Sequence, residues 1–432
     1  MEKRVIFHVD ANSAFLSWSA AYRVKVLGET TDLRDVPSVV AGDKASRHSI
    51  VLAKSTHAKK YGIHTGEPLF QAQEKCPELV VIPPDYELYV AASRRFVEML
   101  RQFSPCVEQY SIDEAWVDMT GTERLHGDPL VAAETMRKRI WEELGFTVNV
   151  GISSNKLLAK MAGDFEKPNK VHTLFPEEMP DKFWPLPVRD LFLVGGATER
   201  KLQKIGIYTI GDLAHTQLAT IQRLLGKHGE TIWHYANGRN ADMVASQPAD
   251  NKGYSNSVTT AADVTTWEQA HKVLLGLCET VAMRMRKDGK CGRCICVQLR
   301  DADFHDFSHQ HMLHGATNIT TELFGAVCQA FDEAWDGQTP LRQLGVQVTR
   351  LTEEPYQQFD FLSGVSPVQY ERKLRLDETV DGLRDKFGED IIRRAKFAQN
   401  PEGHLAGGLS KARRTGVTKP VPDEIDWKKF PK

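Results

Sequence analysis

Long apolar runs are what this sequence most plainly lacks. No stretch in its 432 residues is long and apolar enough to span a bilayer, which excludes a helical membrane protein. It also lacks a charge excess of either sign: 55 Lys and Arg stand against 57 Asp and Glu, a formal net charge of −2. A neutral total neither points to nor excludes a polyanionic partner, because phosphate affinity depends on where cations cluster. Cysteine is scarce, with seven residues, so reduced thiols are expected and not a disulfide framework. No export signal is expected: in MEKRVIFHVD the basic residues precede an apolar stretch that Asp10 cuts short of a signal-peptide core. These absences lead to the expectation of a cytoplasmic protein. What is present is ordinary globular composition, 41% hydrophobic and 26% charged, at a length that suggests about three domains.

Residues 4–10, RVIFHVD, predict a short buried strand closed by a carboxylate. A helix is predicted over 13–27, a second strand over PSVVAG and its hairpin partner over 50–53. KSTHAKKYGI has the spacing of a short helix, and a longer one over 86–103 gathers Phe96, Met99, Leu100 and Phe103 on one face. CVEQYSIDEAWVDMT predicts a β-hairpin with Ser111 to Glu114 at its bend. A helix over 129–144, a strand at TVNVGIS and a helix at NKLLAKMAGDF complete a mixed α/β unit. Four prolines between 176 and 187 then break the chain, and Gly-separated helices to about 238 predict a small all-α domain. Strands CICVQLRD and LGVQVTRL with helices over 267–287 and 320–335 predict a second α/β unit. The polar remainder predicts a tail with one helix, roughly 367–396, and a disordered basic end.

Three carboxylates at predicted strand ends stand out. Asp10 closes the first strand, and Asp113 and Glu114 are neighbours in the hairpin; converging on one face, they would offer the oxygen ligands that select Mg²⁺ or Mn²⁺. In a flat strand Asp113 and Glu114 point to opposite faces, so both reach one site only at a bend. Spacing alone leaves open the plainer reading, three solvated turn acids.

VDANSAF at 9–15, YSIDEAWVDMT at 110–120 and NVGISSNKLLAKMAGDFEKPN at 149–169 resemble, in content, order and separation, the signature blocks of Y-family translesion DNA polymerases, the family that includes bacterial DNA polymerase IV. The resemblance runs from about residue 3 to 352. It implies an α/β multidomain, right-hand polymerase: palm at 1–13 and 85–175, small fingers at 14–84, an all-α helix-hairpin-helix thumb at 176–243, a linker at 244–254, an α/β little finger at 255–352 and a tail at 353–432. The implied activity is low-fidelity, template-directed DNA synthesis past damaged bases, by nucleotidyl transfer from dNTP with two Mg²⁺ ions. Asp10, Asp113 and Glu114 would hold the ions, with the Ala11 carbonyl as a further ligand. Ser13, Ala14 and Phe15 would open a helix that cradles the triphosphate, and Phe15 would be the steric gate that excludes a 2′-hydroxyl. Lys167 in EKPN matches a lysine on the triphosphate. Where the family commonly has Tyr and Arg, this chain reads Ser55-Thr56-His57-Ala58-Lys59; Thr56 keeps a hydroxyl and Lys59 a charge, but the bidentate fork is lost.

For primer–template DNA, Gly195 and Gly196 resemble the thumb's helix-hairpin-helix turn, whose opening is altered here, and LGKHGETIW at 225–233 is a second Gly-flanked turn. Arg284, Arg286, Lys287, Lys290, Arg293 and Arg300 form a basic patch for DNA phosphates. No ring of paired acids for a proofreading exonuclease is evident, so misinsertions are expected to persist. Cys291, Cys294 and Cys296 with His305, His309, His311 and His314 raise a zinc reading, but the spacing is not that of a finger and no zinc is expected. Gln358, Phe359, Asp360, Phe361 and Leu362 resemble the bacterial sliding-clamp peptide, so the clamp is an expected partner of what is otherwise read as a monomer.

Overall fold

The computed structural model describes residues 4–42, 49–247, 250–353, 367–388 and 391–398. The described residues divide into two compact units, one built on 4–42 and 49–247 and the other on those from 250 onward.

The first unit carries strands β1 (Ile6–Ala11), β2 (Ser38–Ala41), β3 (Val51–Lys54), β4 (Val80–Ile82), β5 (Val107–Gln109), β6 (Glu114–Asp118), β7 (Val148–Ser153) and β8 (Val171–Thr173). Five of them form one sheet in the order β5-β6-β1-β7-β8. β1 lies at its centre, covered on both faces, which is why its sequence is an almost unbroken apolar run. Phe7 and Val9 pack with Phe96, Met99 and Leu100 of the helix Tyr86–Leu100, whose first turn is capped by Asp85 accepting from the Leu88 amide. The opposite face carries Ile6, which clusters with Trp116 and with Ala159 of the helix Lys156–Gly163. That helix crosses β7 so closely that a Cβ on Gly151 would overlap the Ala159 carbonyl oxygen, so only glycine fits there.

A three-stranded sheet, β3-β2-β4, has its own small core around Val39, Val51, Ala58 and Ile63. After Pro176, the helices Gly196–Gln203, Ile210–His215 and Leu218–Ala236 enclose Leu202, Ile210, Leu213, Ile221 and Ile232. Gly226, at φ 63°, breaks the last of these where the second Gly-flanked turn was expected. The short strands β4 and β8, each pairing in parallel with a neighbour, are not visible in the sequence pattern.

The second unit is an antiparallel sheet of β9 (Gly253–Val264), β10 (Cys291–Asp301), β11 (Asp306–Thr317) and β12 (Leu341–Thr352), in the order β11-β10-β12-β9. The helices Trp267–Lys287 and Thr320–Ala334 cover the face bearing Ile295, Val297, Leu299, Leu344, Val346 and Val348. The expected linker at 244–254 is shorter than drawn: Val244 is buried with Ile6, Trp116 and Ala159, and Tyr254 is buried inside β9. The tail helix, Pro367–Phe387, is tied to the unit by buried ion pairs. The clamp-like segment, Gln358 to Leu362, and the chain beyond 398 lie outside the described residues.

Candidate active site

Asp10 and Glu114 stand directly opposite each other in the β1–β6 register, so their side chains share a face, together with that of His8 two residues earlier. Asp113 sits just before β6, in the bend, and its carbonyl accepts from the Ala11 amide at 2.9 Å. The bend frees the Asp113 side chain from strict alternation, and Asp10 and Asp113 line one cavity of about 480 Å³. Ser13, Ala14 and Phe15 line it from the start of the helix Ala14–Lys25. Thr56 and Lys59 line it from the helix Thr56–Lys60, and Lys167 from the loop after the helix Lys156–Gly163.

Glu114 is not part of the cavity wall. Its carboxylate is taken by His8 Nε2 at 2.9 Å and by the Lys160 ammonium, while Lys167 pairs with Asp10 and, at 2.9 Å, with Asp164. Among the described residues no group of three or more His, Cys, Asp or Glu side chains is gathered to hold an ion. The expected convergence is therefore partial: Asp10 and Asp113 line the cavity, while Glu114, on the same sheet face as Asp10 and near Asp113, is held by His8 and Lys160. The reason is electrostatic: like charges repel, and each of Asp10 and Glu114 has an ammonium within reach.

The titrations follow from these neighbours. Burial, with Asp10 and Glu114 close by, pushes the Asp113 carboxyl above its usual range. Burial would also raise Glu114, but hydrogen bonds from His8 and Lys160 hold it at about 2. Burial pushes the His8 imidazole below its usual value despite Glu114. Facing a carboxylate, its Nε2 donates, and its Nδ1 is buried without a partner among the described residues. Burial works against the Lys167 ammonium, yet Asp10 and Asp164 hold its pKa well above the ordinary lysine value.

Phe15 is stacked on Tyr89 at 4.4 Å and meets the edge of Tyr86 at 6.1 Å, so the ring is both packed and part of the cavity wall. Ser13 is left-handed at φ 48°, and the helix it precedes has no side-chain cap. Sequence reasoning missed the amides that fix this arrangement. Asn149, fully buried, donates to the Gly163 and Glu166 carbonyls and accepts from Asn12, whose side-chain Oδ1 accepts from the Asn169 backbone amide. That network pins the Lys167 loop against β7 and the β1 turn. Both asparagines lie inside the quoted blocks, so a buried-amide test of those blocks was the available signal.

The expected DNA contacts fare unevenly. Gly195 and Gly196 open an eight-residue helix, and a Cβ on Gly195 would meet nothing within 4 Å, which leaves the backbone open to approach. In the second unit Lys287 and Arg293 are exposed, Lys290 pairs with Glu353 at 2.9 Å, and Arg284 lies over the Tyr254 ring. Arg286 needs correction as a phosphate contact. Its side chain is 7% exposed and is bound by Asp381 at 2.6 Å, Asp377 at 3.2 Å and the Asn318 carbonyl at 2.7 Å, so the tail helix has already neutralised it. Cys294 and Cys296 register against Met312 and Gln310, whereas His309 and His311 oppose the core residues Val297 and Ile295, so those thiols and imidazoles project from opposite faces of the sheet.

The chain is 43% identical over 400 residues to the DNA polymerase IV of Clostridium acetobutylicum, covering 92% of this chain and 99% of that protein. The chain belongs to the Y-family DNA polymerases. The DNA polymerase IV of Moorella thermoacetica is 38% identical over 401 residues, 92% of this chain and 97% of that protein, and the DNA polymerase IV 2 of Bacillus subtilis is 36% identical over 403 residues, 91% and 95%. Residues 9–164 match the impB/mucB/samB family, residues 251–361 that family's C-terminal domain, and residues 189–240 the DNA polymerase-iota thumb domain. A solved Y-family DNA polymerase chimera of Dbh and Dpo4 has the same fold, with a TM-score of 0.68 at 21% identity over 81% of this chain and 100% of that one. By this membership the chain is a DNA-directed DNA polymerase, in a family that binds primer–template DNA and dNTP and uses divalent metal ions. Among the described residues no helix is long and apolar enough to cross a membrane.

Proposed function

We propose that this polymerase extends primers past damaged template bases with low fidelity, using Asp10, Asp113 and Glu114 to hold two Mg²⁺ ions and the cavity above them to hold the dNTP. The observation that carries the reading is that Asp10 and Asp113 share one cavity with Phe15, Thr56, Lys59 and Lys167, residues drawn from separate parts of the chain. The site suits a hard cation: its donors are carboxylate oxygens, Asp113 is crowded by two like charges, and an ammonium already sits against Asp10. The Ala11 backbone, fixed by its bond to Asp113, supports a further oxygen ligand. When bound, such ions activate the primer hydroxyl and neutralise charge on the leaving pyrophosphate.

The protein's own groups do the positioning. The amides of Ser13, Ala14 and Phe15 at a helix start receive phosphate oxygens. The Phe15 ring, braced by Tyr89, closes the space under the sugar, so a 2′-hydroxyl would clash. Lys167 leaves Asp10 for the triphosphate, and Lys59 and Thr56 meet the phosphates from the opposite wall. Gly195, Gly196, Lys287 and Arg293 are suited to DNA phosphates. Residues 358–362 are read as the sliding-clamp peptide of a cytoplasmic monomer.

Primer extension on an abasic and an undamaged template with Mg²⁺ tests the reading. Extension on both, abolished by Asp10→Asn, is expected. Clean DNA binding with no extension by the wild-type chain would sink it.

A further inference from the structure

β3 ends inside the cavity. Leu52, Ala53 and Lys54 all line it; Val51 and Ala53 are buried, Leu52 and Lys54 half-buried, and Ser55 then fixes where the chain turns into the next helix. The Ser55 hydroxyl donates to the Val36 carbonyl at 2.7 Å and accepts from the Ser38 and Ala58 amides, so Lys54, Thr56 and Lys59 emerge from a pinned backbone. Lys54 is half-buried, and among the described residues its ammonium has no hydrogen bond or ion pair. Glu67, the carboxylate that attracts it, is held by Lys75 at 2.6 Å. Burial and the like charge of Lys59 both disfavour the Lys54 ammonium. Lys54 and Lys59 thus line the same cavity as Asp10 and Asp113 and, among the described residues, neither has an ion pair.

We propose that Lys54 is a triphosphate-binding residue that shares the outer phosphates of the incoming nucleotide with Lys59. The inference rests on the polymerase reading and extends it. A lone lysine is a point charge without the two-pronged grip of arginine, and two lysines converging on one polyanion supply in charge what either lacks in geometry. A single carboxylate would neutralise only one of them, whereas a triphosphate satisfies both, so the pair selects for phosphate number and not for the base.

The test uses the full chain on a primer–template with Mg²⁺, comparing wild type, Lys54→Gln and Lys54→Arg. Lys54→Gln is expected to raise the KM for dNTP about tenfold, the worth of one charge-assisted hydrogen bond, with the larger share of the loss in KM and not in kcat. Lys54→Arg should restore most of it. Competitive inhibition by inorganic tripolyphosphate should weaken in Lys54→Gln by a similar factor, while inhibition by dAMP stays as in wild type. An unchanged KM, or equal weakening toward tripolyphosphate and dAMP with a lowered melting temperature, would overturn the assignment and leave Lys54 a structural residue. A wild-type chain that extends no primer would overturn both this assignment and the polymerase reading, whereas active wild type with an indifferent Lys54→Gln overturns this one alone.

Discussion

The two units hold their charges in opposite ways. In the second, Glu279 lies between Arg384 and Arg394, and Arg286 between Asp377 and Asp381; all but Arg394 and Asp381 have side chains at most 8% exposed, and every charge has its counterpart. In the first, the cavity sets Asp113 among like charges, leaves Lys54 and Lys59 without an ion pair among the described residues, and pairs Asp10 with a lysine that is 38% exposed. A matched, buried set of ions is architecture, since removing either side strands the other in a poor solvent for charge. A mismatched, half-open set is a binding site waiting for the missing charges. Residue type does not separate the two cases: Arg286 and Lys287 are adjacent in sequence, and only one of them faces solvent.

The contrast is sharpest at Asp113. Asp113→Asn should reduce single-turnover primer extension by about 10³-fold or more, the several kcal/mol a metal contact contributes to the transition state. Its melting temperature should hold or rise, because burial already disfavours the charged form. Activity within tenfold of wild type would break the comparison. Next in size, Arg384→Met leaves Glu279 short of a partner and should cost the second unit about 3–5 kcal/mol in a denaturant titration, without moving the transition of the first. A smaller pair of variants tests the basic patch: Lys287→Ala should weaken DNA binding several-fold and lower the slope of log affinity against log salt by about one. Arg286→Met should destabilise the unit and leave that slope alone; equal slopes would mean that Arg286 reaches the DNA after all.

Much of this was legible in the sequence, and for specific reasons. β1, β6 and β7 are apolar because both faces are covered, so their runs stand out. β10 and β12 are legible for the same kind of reason, one face being packed by Ile295, Val297, Val346 and Val348. β11 was missed because it reads as Ser, His, Gln and Met: only alternate residues meet the helices, and those include His309 and His311. The carboxylates were found through their surroundings in the sequence blocks, not through spacing. Their present partners, His8 and Lys160, lie one strand and one helix away, and nothing in a linear reading brings them to Glu114. Lys54 was overlooked because a lysine at a strand end looks like any surface lysine until the cavity beside it is seen.

Acid offers the finest probe of the contrast. Burial alone would raise the carboxyl of Glu279, but Arg384 and Arg394 outweigh it and hold it below the ordinary value of 4.5. A carboxylate with a depressed folded pKa contributes its stability above the unfolded value and gives it up as pH falls through the folded one. Asp381 runs the other way, since burial keeps its carboxyl above the usual 3.8 in spite of Arg286, so protonating it relieves the fold. The two effects oppose each other below about pH 5, and a wild-type melting curve against pH would show only their difference. Glu279→Gln removes one of them. The gap between wild type and Glu279→Gln in the second unit's melting temperature should be widest at pH 6 to 7 and should narrow steadily once the pH drops below about 4.5. A gap that does not change with pH would mean that Glu279 stabilises through packing and hydrogen bonding with no part played by its charge, and the matched-ion account of the second unit would fail with it.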